Sequence, residues 1–236
     1  MKIGILQTGY PPESAQPFYG TYADAFARLL DGHGFEFASW ACLDGEFPPD
    51  IYSADGWLVT GSKFGAYEDL PWIAPLEQFL RDSYAAEIPI VGICFGHQIL
   101  AQTLGGKVEK YADGWSIGRV SYDVDIIDAD PLPLYAWHQD QVTDLPPEAE
   151  VVGSTPFCQY AALSYGKKAF SVQPHPEFTH EYISHLISER WHDLPDGVAA
   201  NAERSLTDGD ICSNAMAEYI ARFFKQSGRA VSTSDK

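Results

Sequence analysis

Pro89-Ile90-Val91-Gly92-Ile93-Cys94-Phe95-Gly96-His97-Gln98 decides how this chain is read. An apolar run, Ile88 to Ile93, ends in Gly-x-Cys-x-Gly and passes directly into a helix-forming segment, Gln98 to Leu104. That order is the sequence form of a nucleophile elbow, in which a sharp strand-to-helix turn holds a reactive side chain at its apex. The flanking glycines fit the reading, because backbone and helix pass so closely at such a turn that a Cβ would clash. Cys94 then stands at a helix N-terminus, where the dipole and the free N–H groups favour negative charge. The bland alternative is a structural cysteine, a frequent fate of buried free Cys. A core cysteine does not require glycines on both sides.

Outward from the elbow, strands and helices alternate. Lys2–Leu6, Phe35–Ala41 and Gly56–Thr60 read as buried strands, and Tyr22–Leu30 and Trp72–Ala86 as amphipathic helices. This is the pattern of an α/β protein with a mostly parallel central sheet and helices on both faces. Past the Gly105-Gly106 stop the character changes. Val120–Ile127, Leu134–His138, Glu150–Ser154, Tyr160–Ser164 and Ala169–Gln173 are short runs punctuated by Pro, Gly and Asp, which predicts a small antiparallel β region. Helices are expected over Thr179–Trp191 and Ser213–Lys225. The domain reading is one unit over residues 1–225 and a flexible tail over 226–236, rich in Ser, Thr and charge. In such a sheet, ligands bind beyond the carboxyl ends of the parallel strands. The loops Gly61–Leu70 and Phe95–Gln98 are placed there.

The chain has 236 residues, 45% of them hydrophobic, and a formal net charge of −18. That balance excludes the nonspecific nucleic-acid and anionic-membrane binders, which need clustered Lys and Arg. Cys42, Cys94, Cys158 and Cys212 are widely spaced, without the pairing of a disulfide framework or a zinc ribbon. The N-terminal apolar run is too short for a signal peptide, and no run approaches membrane-spanning length. A cytoplasmic protein without metal or cofactor is the expectation. His180 and His185 lack the i, i+4 spacing of paired metal ligands, and His33 and His192 fall in loops or at a helix end.

Gln173-Pro174-His175-Pro176-Glu177 supplies the partners a cysteine nucleophile needs. In a proline-fixed, extended segment, residues two apart point to the same side, so His175 and Glu177 reach one site. A histidine base needs a partner on its second nitrogen to fix the tautomer and stabilise the imidazolium. Acyl transfer also needs donors for the developing oxyanion. The backbone N–H of Phe95 is one candidate, and the Val59-Thr60-Gly61-Ser62-Lys63 turn offers the second. An ordinary strand-to-loop turn is the competing reading of that segment.

The elbow followed by the His-Pro-Glu segment closely resembles the class I, triad-type glutamine amidotransferases, from the first strand to about Phe178. The resemblance implies a Cys94–His175–Glu177 triad attacking the side-chain amide of glutamine, with no cofactor. It maps the family's glycine-rich oxyanion turn onto Gly61-Ser62, although the common double glycine followed by proline is missing here. It also implies that Gln98, and His138 and Asp140 in Trp137-His138-Gln139-Asp140-Gln141-Val142, hold the amino-acid end of the substrate. A helix N-terminal polar residue and a polar turn are the bland readings of these positions. Among stand-alone members, bacterial amidotransferase-like proteins and plant γ-glutamyl peptidases look most similar.

The function implied is hydrolysis of the γ-glutamyl amide of glutamine through a γ-glutamyl thioester, releasing ammonia to a separate synthase subunit. The alternative is a self-sufficient hydrolase of γ-glutamyl amines or peptides. A non-catalytic glutamine sensor is disfavoured, since Cys94, His175 and Glu177 are all present. Tyr10, Phe64, Tyr67 and Trp115 read either as leaving-group contacts or as packing, with packing preferred.

Overall fold

The computed structural model describes residues 1–127 and 131–227. The chain opens with β1 (Lys2–Gln7), α1 (Gln16–Tyr19), α2 (Tyr22–Leu29), β2 (Glu36–Ala41), β3 (Gly56–Val59) and α3 (Ile73–Ala85). The elbow joins β4 (Ile90–Ile93) to α4 (Phe95–Thr103). Then come β5 (Lys107–Lys110), β6 (Ser116–Val124), β7 (Leu132–His138), β8 (Asp140–Asp144), β9 (Glu150–Ser154), β10 (Ala162–Tyr165) and β11 (Ala169–Val172). Helices α5 (His180–Glu189), α6 (Val198–Ser205) and α7 (Ser213–Ser227) close the described chain.

Nine strands form one sheet in the order β2-β1-β3-β4-β11-β10-β9-β6-β7. The pairings from β2 through β11 are parallel and those from β11 to β7 antiparallel. The antiparallel region is thus a continuation of the parallel sheet, and only β5 and β8 pair apart from it.

Period-2 alternation sorts the parallel strands into two cores. Ile3, Ile5, Leu58, Val91 and Ile93 face α2 and α7, packing with Phe26, Ile220 and Phe224. Leu6, Trp57, Val59 and Ile90 face the other way, onto Leu76 and Leu80 of α3 and Ile99 and Leu100 of α4. Thr21 starts α2 with a reciprocal capping box to Asp24.

Several boundaries move from the sequence expectation. Helix α4 begins at Phe95 rather than Gln98, because the Gln98 N–H already bonds the Cys94 carbonyl at 3.0 Å. Strand β6 ends at Val124 rather than Ile127, whose N–H turns back onto the Val124 carbonyl. Gln226 and Ser227, expected in a tail, belong to α7, and the rest of that segment lies outside the described residues. No described helix is long and apolar enough to cross a membrane.

Candidate active site

Strand β4 delivers Cys94 to the carboxyl edge of the sheet. Its backbone there is at φ 52°, ψ −102°, a conformation that L-residues with a Cβ rarely adopt. Both elbow glycines are required by space. A Cβ on Gly92 would overlap the Gly96 carbonyl oxygen, and one on Gly96 would overlap the Val59 carbonyl oxygen.

Strand β11 ends beside β4 and leads into the extended Gln173–Glu177 segment. The His175 N–H bonds the Tyr135 carbonyl at 2.8 Å, which fixes the segment against β7. His175 and Glu177 do share one side, with Nδ1 to Oε1 at 2.7 Å and both residues buried. The ring also stands close enough to Cys94 to feel its charge. Phe178 stacks on the imidazole at 3.9 Å, nearly parallel at 13°. Burial opposes protonation of His175, but negative charge at Cys94 and Glu177 on either side outweighs it and raises the pKa. The arrangement can hold an imidazolium between two anionic groups.

The same extended geometry places Gln173 on that side too. Its amide nitrogen lies 3.6 Å from Cys94 Sγ, and its Oε1 accepts from Gln98 Nε2 at 3.1 Å. The sequence reading gave Gln173 no role, although the i, i+2 logic that linked His175 to Glu177 extends one step back to it. Gln98 Nε2 also donates to the Asp140 carbonyl at 2.8 Å. Both amide protons of Gln98 are therefore committed to the protein, and its carbonyl oxygen is the part left for a ligand.

Gly61 passes directly over the site. A Cβ there would stand 2.9 Å from His175 Cε1 and 3.8 Å from Cys94 Cβ. None of the hydrogen bonds among the described residues uses the N–H of Gly61, Ser62 or Phe95. Phe95 follows Cys94 in the chain and Gly61 lies beside it, and these N–H groups are the ones the sequence expectation names for the oxyanion.

Two adjoining cavities meet at the candidate triad. One, of about 330 Å³, is lined by Cys94, Gln98, Tyr67, His138 and Asp140. The other, of about 460 Å³, is lined by His175, Phe178, Tyr10, Tyr22 and Gln16. Ser62, Phe64, Trp137 and Arg190 form the boundary between them. His138 is buried and neutral, its pKa pushed down to about 3 by burial, and among the described residues its Nε2 has no partner. Burial raises the Asp140 carboxyl, against the Tyr67 hydroxyl that bonds it. Tyr10, Phe64, Tyr67 and Trp115 line these cavities, and Phe64 also packs edge-on against Trp72. Among the described residues no cluster of His, Cys, Asp or Glu could hold a metal ion.

An α/β sheet with a cysteine at a strand-to-helix elbow, beside a buried His–Glu pair, defines the general class of molecule. The sequence profile described as glutamine amidotransferase class-I matches residues 53–192, and the chain belongs to that family. It is 28% identical over 189 residues to γ-glutamyl peptidase 3 of Arabidopsis thaliana, covering 74% of this chain and 76% of that one. It is 32% identical over 117 residues to one subunit of the glutamine-hydrolyzing GMP synthase of Methanothermobacter thermautotrophicus, covering 46% of this chain and 61% of the other. The crystal structure of a glutamine amido transferase from Methylobacillus flagellatus superposes with a TM-score of 0.80 at 22% identity, covering 100% of this chain and 98% of the other.

Proposed function

We propose that the protein hydrolyses a γ-glutamyl amide bond through Cys94, His175 and Glu177. The Cys94 sulfur attacks the γ-carbonyl, a C–S bond forms, and the oxyanion is received by the N–H groups of Phe95 and of the Gly61-Ser62 turn. Protonated His175 gives its proton to the departing nitrogen as the C–N bond breaks. This leaves a γ-glutamyl thioester and a neutral imidazole. His175 then takes a proton from water, the resulting hydroxide equivalent attacks the thioester, and glutamate leaves as the Cys94 thiolate is restored beside protonated His175. Glu177 holds the ring and its charge throughout. Gln98, His138 and Asp140 line the acyl side and are assigned to the glutamyl end. The four free thiols of the described structure favour a reducing, cytoplasmic setting.

One observation supports the choice of substrate: the larger of the two cavities, of about 460 Å³, lies on the His175 side, to which this mechanism assigns the departing amine. Ammonia needs no such space, whereas an amino acid or peptide fills it. This supports a γ-glutamyl peptidase that works alone. The second reading, glutamine hydrolysis with ammonia passed to a separate synthase, is supported by the likeness to the GMP synthase subunit.

The deciding experiment is glutamate release by the purified protein from glutamine and from a γ-glutamyl dipeptide in parallel, with Cys94→Ser as control. Fast, Cys94-dependent cleavage of the dipeptide with little glutamine turnover is the expected result. Turnover surviving in Cys94→Ser would sink the mechanism, and cleavage of glutamine alone would move the assignment to the second reading.

A further inference from the structure

Strands β1 and β3 lie side by side, and each runs out into a Thr-Gly pair: Thr8-Gly9 and Thr60-Gly61. Both threonines are fully buried. Their hydroxyls meet at 3.1 Å, and the Thr8 N–H donates to Thr60 Oγ1 at 3.0 Å. Each hydroxyl also lies 3.1 Å from the Gly61 carbonyl oxygen. The Thr60 carbonyl, 3.0 Å from Thr8 Oγ1, is the competing acceptor. Two hydroxyl protons serve these acceptors, so either threonine can hold the Gly61 carbonyl. Thr8 grips the next residue as well, because Ser62 Oγ donates to the Thr8 carbonyl at 2.6 Å. Space reinforces the bonds: a Cβ on Gly9 would come within 3.0 Å of the Gly61 oxygen and of Ser62 Cα.

In a trans peptide the carbonyl and the following N–H point in opposite directions. Holding the Gly61 carbonyl toward β1 therefore turns the Ser62 N–H away from β1, to the side where Gly61 faces Cys94 and His175. Glycine leaves this peptide free to rotate in the absence of such a hold. We infer that Thr8 and Thr60 are positioning residues that lock the Gly61–Ser62 peptide with its N–H aimed at the oxyanion, so that the donor is in place before substrate binds. The inference rests on the acyl-transfer reading above and deepens it: a donor fixed by the chain's own hydroxyls needs no second protein to align it.

The test pairs Thr8→Val/Thr60→Val with Thr8→Ser/Thr60→Ser, using the γ-glutamyl dipeptide. The valine pair should lose about 10²-fold in kcat, the usual scale for one oxyanion donor. Its KM and its rate of Cys94 alkylation by iodoacetamide should stay near wild type, and the serine pair, which keeps both hydroxyls, should recover kcat. An equal loss in both pairs, or no loss in the valine pair, would overturn the inference. Should the double valine variant fail to fold, Thr8→Val/Thr60→Ala, which also lacks both hydroxyls, is read the same way. A crystal structure of the best-folded valine variant tests the lock independently of substrate. A turned Gly61–Ser62 peptide is expected, and an unchanged one refutes the lock even if wild type hydrolyses no γ-glutamyl compound.

Discussion

His175 is pulled two ways, and the balance sets its chemistry. Full burial favours the neutral ring, while Cys94 and Glu177 favour the charged one, and the charges prevail. Removing either should therefore let burial reassert itself. In Glu177→Gln the His175 pKa, followed by the imidazole Cε1–H NMR signal against pH, is expected to fall below the wild-type value. In Cys94→Ala it should fall as well. The kcat of Glu177→Gln should drop by about 10²- to 10⁴-fold, the range of general acid–base catalysis. An unchanged titration in Glu177→Gln would mean that the 2.7 Å contact carries no electrostatic weight. Residue-scale legibility followed locality. The Cys94 elbow and the His175–Glu177 pair were readable because glycine spacing and i, i+2 geometry are short-range constraints. The Thr8–Thr60 hydroxyl pair spans 52 positions of sequence, and no local pattern announces it.

Between β4 and α4 the constraint is contact distance rather than dihedral freedom. Gly96 carries no positive φ, yet its position leaves no room for a Cβ against the Val59 carbonyl. Gly32 is the reverse case, at φ 77° with nothing within 4 Å of a built Cβ. Gly32→Ala should cost about 1–2 kcal/mol, the left-handed penalty alone. Gly96→Ala must push α4 off β3, and a cost above about 3 kcal/mol, or failure to fold, is expected. Urea unfolding of the two variants makes the comparison, and an equal cost would show that the elbow tolerates separation. The same contrast explains which elements the sequence disclosed. Strands β3 and β4 are unbroken apolar runs, and β1 and β11 are nearly so, because both faces are covered, and they read clearly. Strand β5 is Lys-Val-Glu-Lys, with one buried side chain and three exposed, and its pairing with β8 comes from register rather than composition. Helix α6, Val-Ala-Ala-Asn-Ala-Glu-Arg-Ser, buries only Ala199 and Ala202 and is held by packing on β6, a long-range contact no local periodicity encodes.

Across the whole molecule, three buried histidines tie stability to pH. The raised pKa of His175 adds stability that is complete below 6.5 and is lost as pH rises, whereas His97 and His138 act on the acid side. Burial pushes both His97 and His138 down to about 3, so the folded protein keeps them neutral. The unfolded chain protonates each near 6.5. Between those values the unfolded state binds more protons at these two sites, so their contribution is full above 6.5 and drains away as pH falls toward 3. Each should cost about 2 kcal/mol by about pH 5, at about 1.4 kcal/mol per unit. Free carboxylates titrate mainly below about pH 5. His97 also occupies a structural junction. Its Nδ1 meets Ser171 Oγ at 2.8 Å, joining the helix that follows Cys94 to the strand that leads to His175. Acid should therefore undo fold and site together rather than bleach the site in a folded shell. Urea midpoints measured from about pH 6 to about pH 5, where the His175 contribution is nearly constant, should fall steeply in wild type and about half as steeply in His97→Gln, whatever the variant's absolute stability. The loss of γ-glutamyl hydrolysis on incubation should track the same curve. A His97→Gln slope equal to that of wild type would place the acid sensitivity elsewhere, in the carboxylates of a chain whose net charge is −18.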